Sequence, residues 1–166
     1  LVRTLLEMSN LQSVSRSDEI ELAPLIDEIL TDLTTLAEQK NITLHQNCED
    51  VHMIGSDTLI YRLLFNLIEN AIKYSNDDGE IKIDAYSKGE KIYVDIFNSG
   101  KCINEKELNK IWDRFYKSDK SRTNKLSTGL GLPIVRSILS QHNEDIWVKN
   151  IEGKGVSFIF TLKKSH

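Results

Sequence analysis

The run Asn66-Leu67-Ile68-Glu69-Asn70-Ala71-Ile72-Lys73-Tyr74-Ser75 holds the residue types in this chain best suited to chemistry. Side chains three and four positions apart share a helix face. At ~100° per residue, Asn66, Asn70 and Lys73 fall within an arc of roughly 60°. That arc edges the apolar stripe of Leu59, Ile60, Leu63, Leu64, Leu67, Ile68 and Ala71. Two carboxamides and a cation therefore line the rim of a helix whose other side is core. A carboxamide oxygen can ligate a hard cation such as Mg²⁺, and a lysine can reach a phosphate. Taken alone, the run fits a solvated helix edge equally well.

The elements that must position this helix can be read along the chain. Leu1, Leu5, Met8 and Leu11 form one stripe of a helix end, and Ser13 to Asp18 reads as a polar linker. Ile20 to Leu22 is a short strand. Leu25, Ile26, Ile29, Leu30, Leu33, Leu36 and Ala37 predict a helix, with Pro24 in its first turn and Asn41 as its stop. Ile42 to Cys48 and Val51 to Ile54 read as strands around a turn at Glu49-Asp50. Ser56 or Asp57 caps the Asn66-bearing helix. Ile81 to Tyr86 and Ile92 to Phe97 alternate as a hairpin. Asn104 caps a short helix through Leu108. Ser118 to Ser127 is polar and aperiodic. Pro133 lies near the start of a last helix that stops at Asn143. Ile146 to Ile151 and Val156 to Leu162 close a second hairpin across Gly153-Lys154-Gly155. Hairpins mixed with helices imply an α+β, two-layer sandwich: a mixed, mostly antiparallel sheet covered by helices on one face.

Composition narrows the options. With 166 residues, 40% of them hydrophobic and 28% charged, the chain suits one domain with its own core. A net charge of −4 offers no general attraction to nucleic acid or an anionic membrane, so any phosphate site is built locally. Two cysteines, Cys48 and Cys102, are too few for a disulfide framework. No apolar stretch reaches the ~20 residues of a membrane span. The chain begins at Leu1, without methionine or signal peptide, and reads as a piece of something longer. Neither a G-x-x-x-x-G-K-[ST] loop nor a G-x-G-x-x-G fingerprint is present, so nucleotide binding needs another geometry.

Three later segments follow the asparagine run in fixed order. They are Asn98-Ser99-Gly100-Lys101-Cys102-Ile103, Ile111-Trp112-Asp113-Arg114-Phe115-Tyr116-Lys117 and Thr128-Gly129-Leu130-Gly131-Leu132, with the Gly153-Lys154-Gly155 turn after them. Together they resemble the asparagine, first glycine, aromatic and second glycine boxes of the ATP-binding catalytic domain of sensor histidine kinases. The resemblance runs from about Glu21 to Lys164. It implies the Bergerat-type fold, with residues 1–18 as the end of a dimerisation and phosphoacceptor helix plus linker, and 19–166 as the catalytic domain. It implies ATP and Mg²⁺, with Asn70 as the metal ligand and Asn66 as its helper. Lys73 resembles the phosphate-contacting lysine, and Tyr74 the residue beside adenine or ribose. Asn98, Gly100 and Ile103 match the base-side loop, and Phe115 and Tyr116 the aromatic pair. Lys117, ranked ahead of Arg114, resembles the cation that neutralises the γ-phosphate during transfer. Thr128, Gly129, Leu130, Gly131 and Leu132 would bring backbone close to phosphate at a helix N-terminus. Glu69 is a further catalytic candidate, as some family members use that acidic position to polarise the acceptor histidine.

The chain departs from the family pattern at two places in the base loop. Asn98 stands where an aspartate usually reads the adenine amino group, and Cys102 replaces the second glycine. An asparagine oxygen also accepts that hydrogen bond, but the neutral bond is weaker. Asn143-Glu144 stands where Gly-Gly is common. His45, His52, His142 and His166 all lack the acidic and proline neighbours of the family's phosphoacceptor. The resemblance therefore implies a phosphoryl donor module whose acceptor histidine lies on a separate dimerisation domain, with a response regulator as the next partner. Neither nucleic acid nor direct membrane contact is expected. The parent would be a homodimeric, membrane-bound sensor with this domain in the cytoplasm. Gyrase-like relatives carry a general-base glutamate at the position of Asn66, so self-contained ATP hydrolysis is not expected. Two alternatives stay open: a degenerate regulatory domain without kinase activity, and an anti-sigma-type serine-protein kinase of the same fold.

Overall fold

The computed structural model describes residues 18–108, 110–112 and 131–165. Its strands are β1 (Asp18–Glu21), β2 (Thr43–Cys48), β3 (His52–Gly55), β4 (Glu80–Lys88), β5 (Lys91–Ser99), β6 (Ile146–Ile151) and β7 (Gly155–Lys163). Its helices are α1 (Leu22–Asp32), α2 (Thr34–Glu38), α3 (Asp57–Tyr74) and α4 (Gly131–Gln141), with a 3₁₀ turn at Glu105–Glu107. Five strands form one mixed sheet in the order β2-β4-β5-β7-β6. The β2–β4 pair is parallel, and the other three are antiparallel. This is the expected two-layer α+β architecture.

Alternation decides the faces. Ile81, Ile83 and Ala85 of β4 are buried, as are Ile92, Val94, Ile96 and Asn98 of β5. The register pairs Ile81 with Asn98, Ile83 with Ile96, and Ile96 with Phe158, so these side chains share one face. Helices α1, α3 and α4 lie over that face and bury Leu25, Ile26, Ile29, Leu63, Leu64, Leu67, Ile138 and Leu139 against it. Each such side chain contributes about 1.5–3 kcal/mol of burial free energy. The core therefore fixes α3 along its whole apolar stripe and leaves the Asn66 edge at the rim.

Two sequence expectations change. The predicted helix from Leu25 to Asn41 is two helices, broken at Leu33, with φ −99° and ψ 3°. The hydroxyls of Thr31 and Thr34 donate to the carbonyls of Asp27 and Leu30 (2.9 and 2.8 Å) around that break. Such back-bonding competes with the helix ladder and bends it. Strands β2 and β3 do not fold onto each other at Glu49-Asp50. β3 pairs with β1 in a separate two-stranded sheet, while β2 joins the main sheet beside β4. The last helix starts at Gly131, so Pro133 sits inside its first turn, where a missing N–H removes no intrahelical bond. The helix end at Leu1 to Leu11 lies outside the described residues.

Candidate nucleotide site

Helix α3 is set at both ends. Ser56 caps its start, its hydroxyl oxygen accepting from the amide of Leu59 at 3.2 Å, with Asp57 in the first turn. At the other end the Lys40 ammonium donates to the carbonyls of Ile72, Lys73 and Ser75 at 2.9, 3.0 and 2.6 Å. Between these anchors Asn66, Glu69, Asn70, Lys73 and Tyr74 are all half-buried. Neither carboxamide has a hydrogen-bond partner among the described residues. Lys73 lies one turn from Glu69, with Nζ 3.5 Å from Oε1. Its side chain is 21% exposed, so most of its stem is covered.

The end of β5 meets the end of α3. The Asn76 amide donates to the Ser99 carbonyl at 3.4 Å, and the Ser99 hydroxyl donates to Asn76 Oδ1 at 2.8 Å. Gly100 has φ 129°, and a Cβ there would lie 3.0 Å from the Asn76 nitrogen. Only glycine suits that backbone and that approach. Asn98, 3% exposed, points to the helix-covered face, and its Nδ2 donates to the Ser99 carbonyl at 3.2 Å. That bond leaves Oδ1 and the second Nδ2 hydrogen for other partners. Asp95, three residues upstream, lies on the opposite face of the strand.

The rest of the base loop is held by the β6–β7 hairpin. Asn150 clamps the backbone of Ile103: its Oδ1 accepts from the amide (3.0 Å), and its Nδ2 donates to the carbonyl (2.8 Å). The Gly100 amide donates to the Lys154 carbonyl at 3.0 Å. The Cys102 thiol lies 3.4 Å from the Gly155 carbonyl and 3.6 Å from that of Ile151. A Cβ at Gly155 would run into the carbonyl of Asn98. The third glycine turn thus packs directly behind the base loop, and Cys102 ties the two together.

Among the described residues, Asn66, Glu69, Asn70, Lys73, Tyr74, Asn98, Gly100 and Ile103 belong to these two joined segments. Gly131 and Leu132 form the first residues of α4. Phe115, Tyr116, Lys117, Arg114, Thr128, Gly129 and Leu130 lie outside the described residues. Trp112 packs edge-on to Phe158 at 6.1 Å and under the Arg136 guanidinium at 5.6 Å. His45 lies 3.4 Å from Glu80, and His52 lies between Asp50 and Glu19 (2.9 and 3.4 Å). His142 Nδ1 contacts the Ile138 carbonyl at 2.9 Å. Sequence reading missed Lys40 and Asn150. Neither carries a spacing signal, because each acts on backbone far away in sequence.

Fold and element order define the class, a two-layer α+β domain with a mixed five-stranded sheet. The model of the histidine kinase-, DNA gyrase B- and HSP90-like ATPase family matches residues 55–166. The chain belongs to that family, as the catalytic ATPase domain of a sensor histidine kinase. It is 33% identical to the sensor histidine kinase WalK of Bacillus subtilis, over 98% of this chain and 28% of WalK. A solved nucleotide-free catalytic domain of the histidine kinase ThkA is 32% identical, with a TM-score of 0.77 over 89% of this chain and 96% of that one. ThkA in complex with the response regulator TrrA is 31% identical with a TM-score of 0.82, over 99% of this chain and 46% of that one. The chain thus spans about a quarter of WalK. Among the described residues no helix is long and apolar enough to cross a membrane.

Proposed function

We propose that this domain binds Mg²⁺-ATP and donates the γ-phosphoryl group to a histidine on a separate dimerisation domain, for relay to a response regulator. The observation that carries this reading is the junction of the α3 end with the β5 end through Asn76 and Ser99. It joins the segment carrying Asn70, Lys73 and Tyr74 to the segment carrying the buried Asn98, which supports reading them as the two halves of one site. On this reading Asn98 Oδ1 accepts from the adenine amino group, Tyr74 flanks the base or ribose, and Lys73 binds phosphate. Asn70 offers a carboxamide oxygen with no partner among the described residues at a half-buried position, a donor that would suit a hard cation. When bound there, Mg²⁺ supplies charge neutralisation for the phosphates. Lys117 would balance charge on the transferring group, and the first turn of α4 would face the phosphates.

In the transfer the bond from γ-phosphorus to the β,γ-bridging oxygen breaks, and its electron pair leaves with ADP. A phosphorus–nitrogen bond forms to the acceptor imidazole, which loses its proton. Glu69, one turn from Lys73, is the candidate group to polarise that imidazole. Residues 1–18 would form the end of the dimerisation helix and its linker, with the parent a homodimer at the cytoplasmic side of a membrane. The test is transfer of labelled phosphate from ATP to a supplied acceptor-histidine domain. The expected product is an acid-labile, base-stable phosphoprotein. An acid-stable product would indicate serine chemistry, and nucleotide binding without transfer would indicate a regulatory domain.

A further inference from the structure

Lys40 follows α2 in a turn that has no place in the nucleotide motifs. Its ammonium nevertheless converges on three carbonyls at the end of α3: Ile72, Lys73 and Ser75. The last turn of a helix has carbonyls without intrahelical partners and frays unless something satisfies them. A cation there also complements the negative end of the helix dipole. Lys73 and Tyr74 both lie in that last turn.

The turn that delivers Lys40 is itself fastened to the site. Asn41, at φ 53°, donates from Nδ2 to Asp78 Oδ1 at 2.7 Å. Asp78, at φ 60°, donates its amide to the Lys40 carbonyl at 2.8 Å. The Thr43 amide donates to the Gly79 carbonyl at 3.0 Å. The clasped segment, Ser75 to Gly79, is the one whose Asn76 binds Ser99 at the base loop. One lysine thus sits where the phosphate edge and the base side are joined.

We infer that Lys40 is a positioning residue for nucleotide binding: it holds the last turn of α3 so that Lys73, Tyr74 and the Asn76–Ser99 junction present one preformed site. This rests on the nucleotide-binding reading above. Pre-ordering the turn removes an ordering cost that nucleotide binding would otherwise bear.

The test compares wild type, Lys40→Met and Lys40→Arg. Thermal midpoint, dissociation constants for ADP and a non-hydrolysable ATP analogue with Mg²⁺, and KM and kcat with an acceptor domain are measured where each variant is folded. Lys40→Met is expected to weaken both nucleotides about tenfold, raising KM with kcat unchanged. Lys40→Arg keeps the cation but cannot converge on three carbonyls in the same way, so an intermediate loss is expected. Should Lys40→Met fail to fold, the loss in Lys40→Arg decides. A lowered midpoint with unchanged nucleotide affinity in the folded variants would overturn the inference and leave the nucleotide reading intact. Wild type that binds no nucleotide would overturn both.

Discussion

At the scale of single residues, the proposed site asks one amide, that of Asn98, to serve two demands. Its side chain is almost completely buried, and its Nδ2 is engaged by the Ser99 carbonyl. A carboxylate there would gain strength as an acceptor but would lose that donor and bear desolvation. Asn98→Asp is therefore expected to tighten adenine nucleotide binding while lowering the stability of the free domain by about 1–2 kcal/mol. Paired titration calorimetry and thermal melts check this. A fall in adenine affinity would mean that Asn98 reads another group. Sequence alone singled out Asn98 by its place in the segment 98–103. It could not reveal the Ser99 bond, because the direction of an amide depends on what surrounds it.

At the scale of elements, the uncovered face of the main sheet carries a conflict. Asp84 and Asp95 lie directly opposite each other on β4 and β5. Burial pushes the Asp95 carboxyl above its ordinary range, with Asp84 adding to the effect, while Ser157 and Lys149 oppose it. Its Oδ1 is buried without a hydrogen-bond partner among the described residues. A carboxyl whose pKa is raised by folding binds protons more readily in the folded state, so its charge lowers stability as pH rises through that range. Asp95→Asn is expected to stabilise the domain by up to about 1 kcal/mol at pH 7. The gain should vanish at a pH below the ordinary carboxylate range, where the Asp95 carboxyl is protonated in folded and unfolded chain alike. Melts across pH check it, and an equal gain at every pH would assign the effect to packing. Periodicity predicted these two strands closely, since every second residue is apolar. It placed β2 and β3 around a turn at Glu49-Asp50 but left their partners unread, because the pairing of β3 with β1 and of β2 with β4 is set by long-range packing rather than by the local turn. It also ran α1 and α2 together, since the apolar spacing continues across Leu33 while the threonine hydroxyls bend the backbone.

At the scale of the whole molecule, the fold forms a single layer of helices over a sheet and places its described candidate residues around the ends of α3 and β5 and the first turn of α4. The apolar stripe of α3 made that helix legible, and the ordered motifs pointed to its family. Two longer-range features were not legible. The Lys40 clamp and the Asn150 clamp each join segments more than thirty positions apart, through backbone carbonyls and amides that leave no side-chain pattern. The central claim is a Mg²⁺-dependent adenine nucleotide site built on Asn70, Lys73 and Asn98. Calorimetric titration with ADP and an ATP analogue, with and without Mg²⁺, using GTP as control and Asn70→Ala in parallel, tests it most directly. Adenine-selective binding that strengthens with Mg²⁺ is expected, with loss of the Mg²⁺ effect in Asn70→Ala. Absence of binding at millimolar nucleotide, or a Mg²⁺ effect that survives in Asn70→Ala, would contradict it.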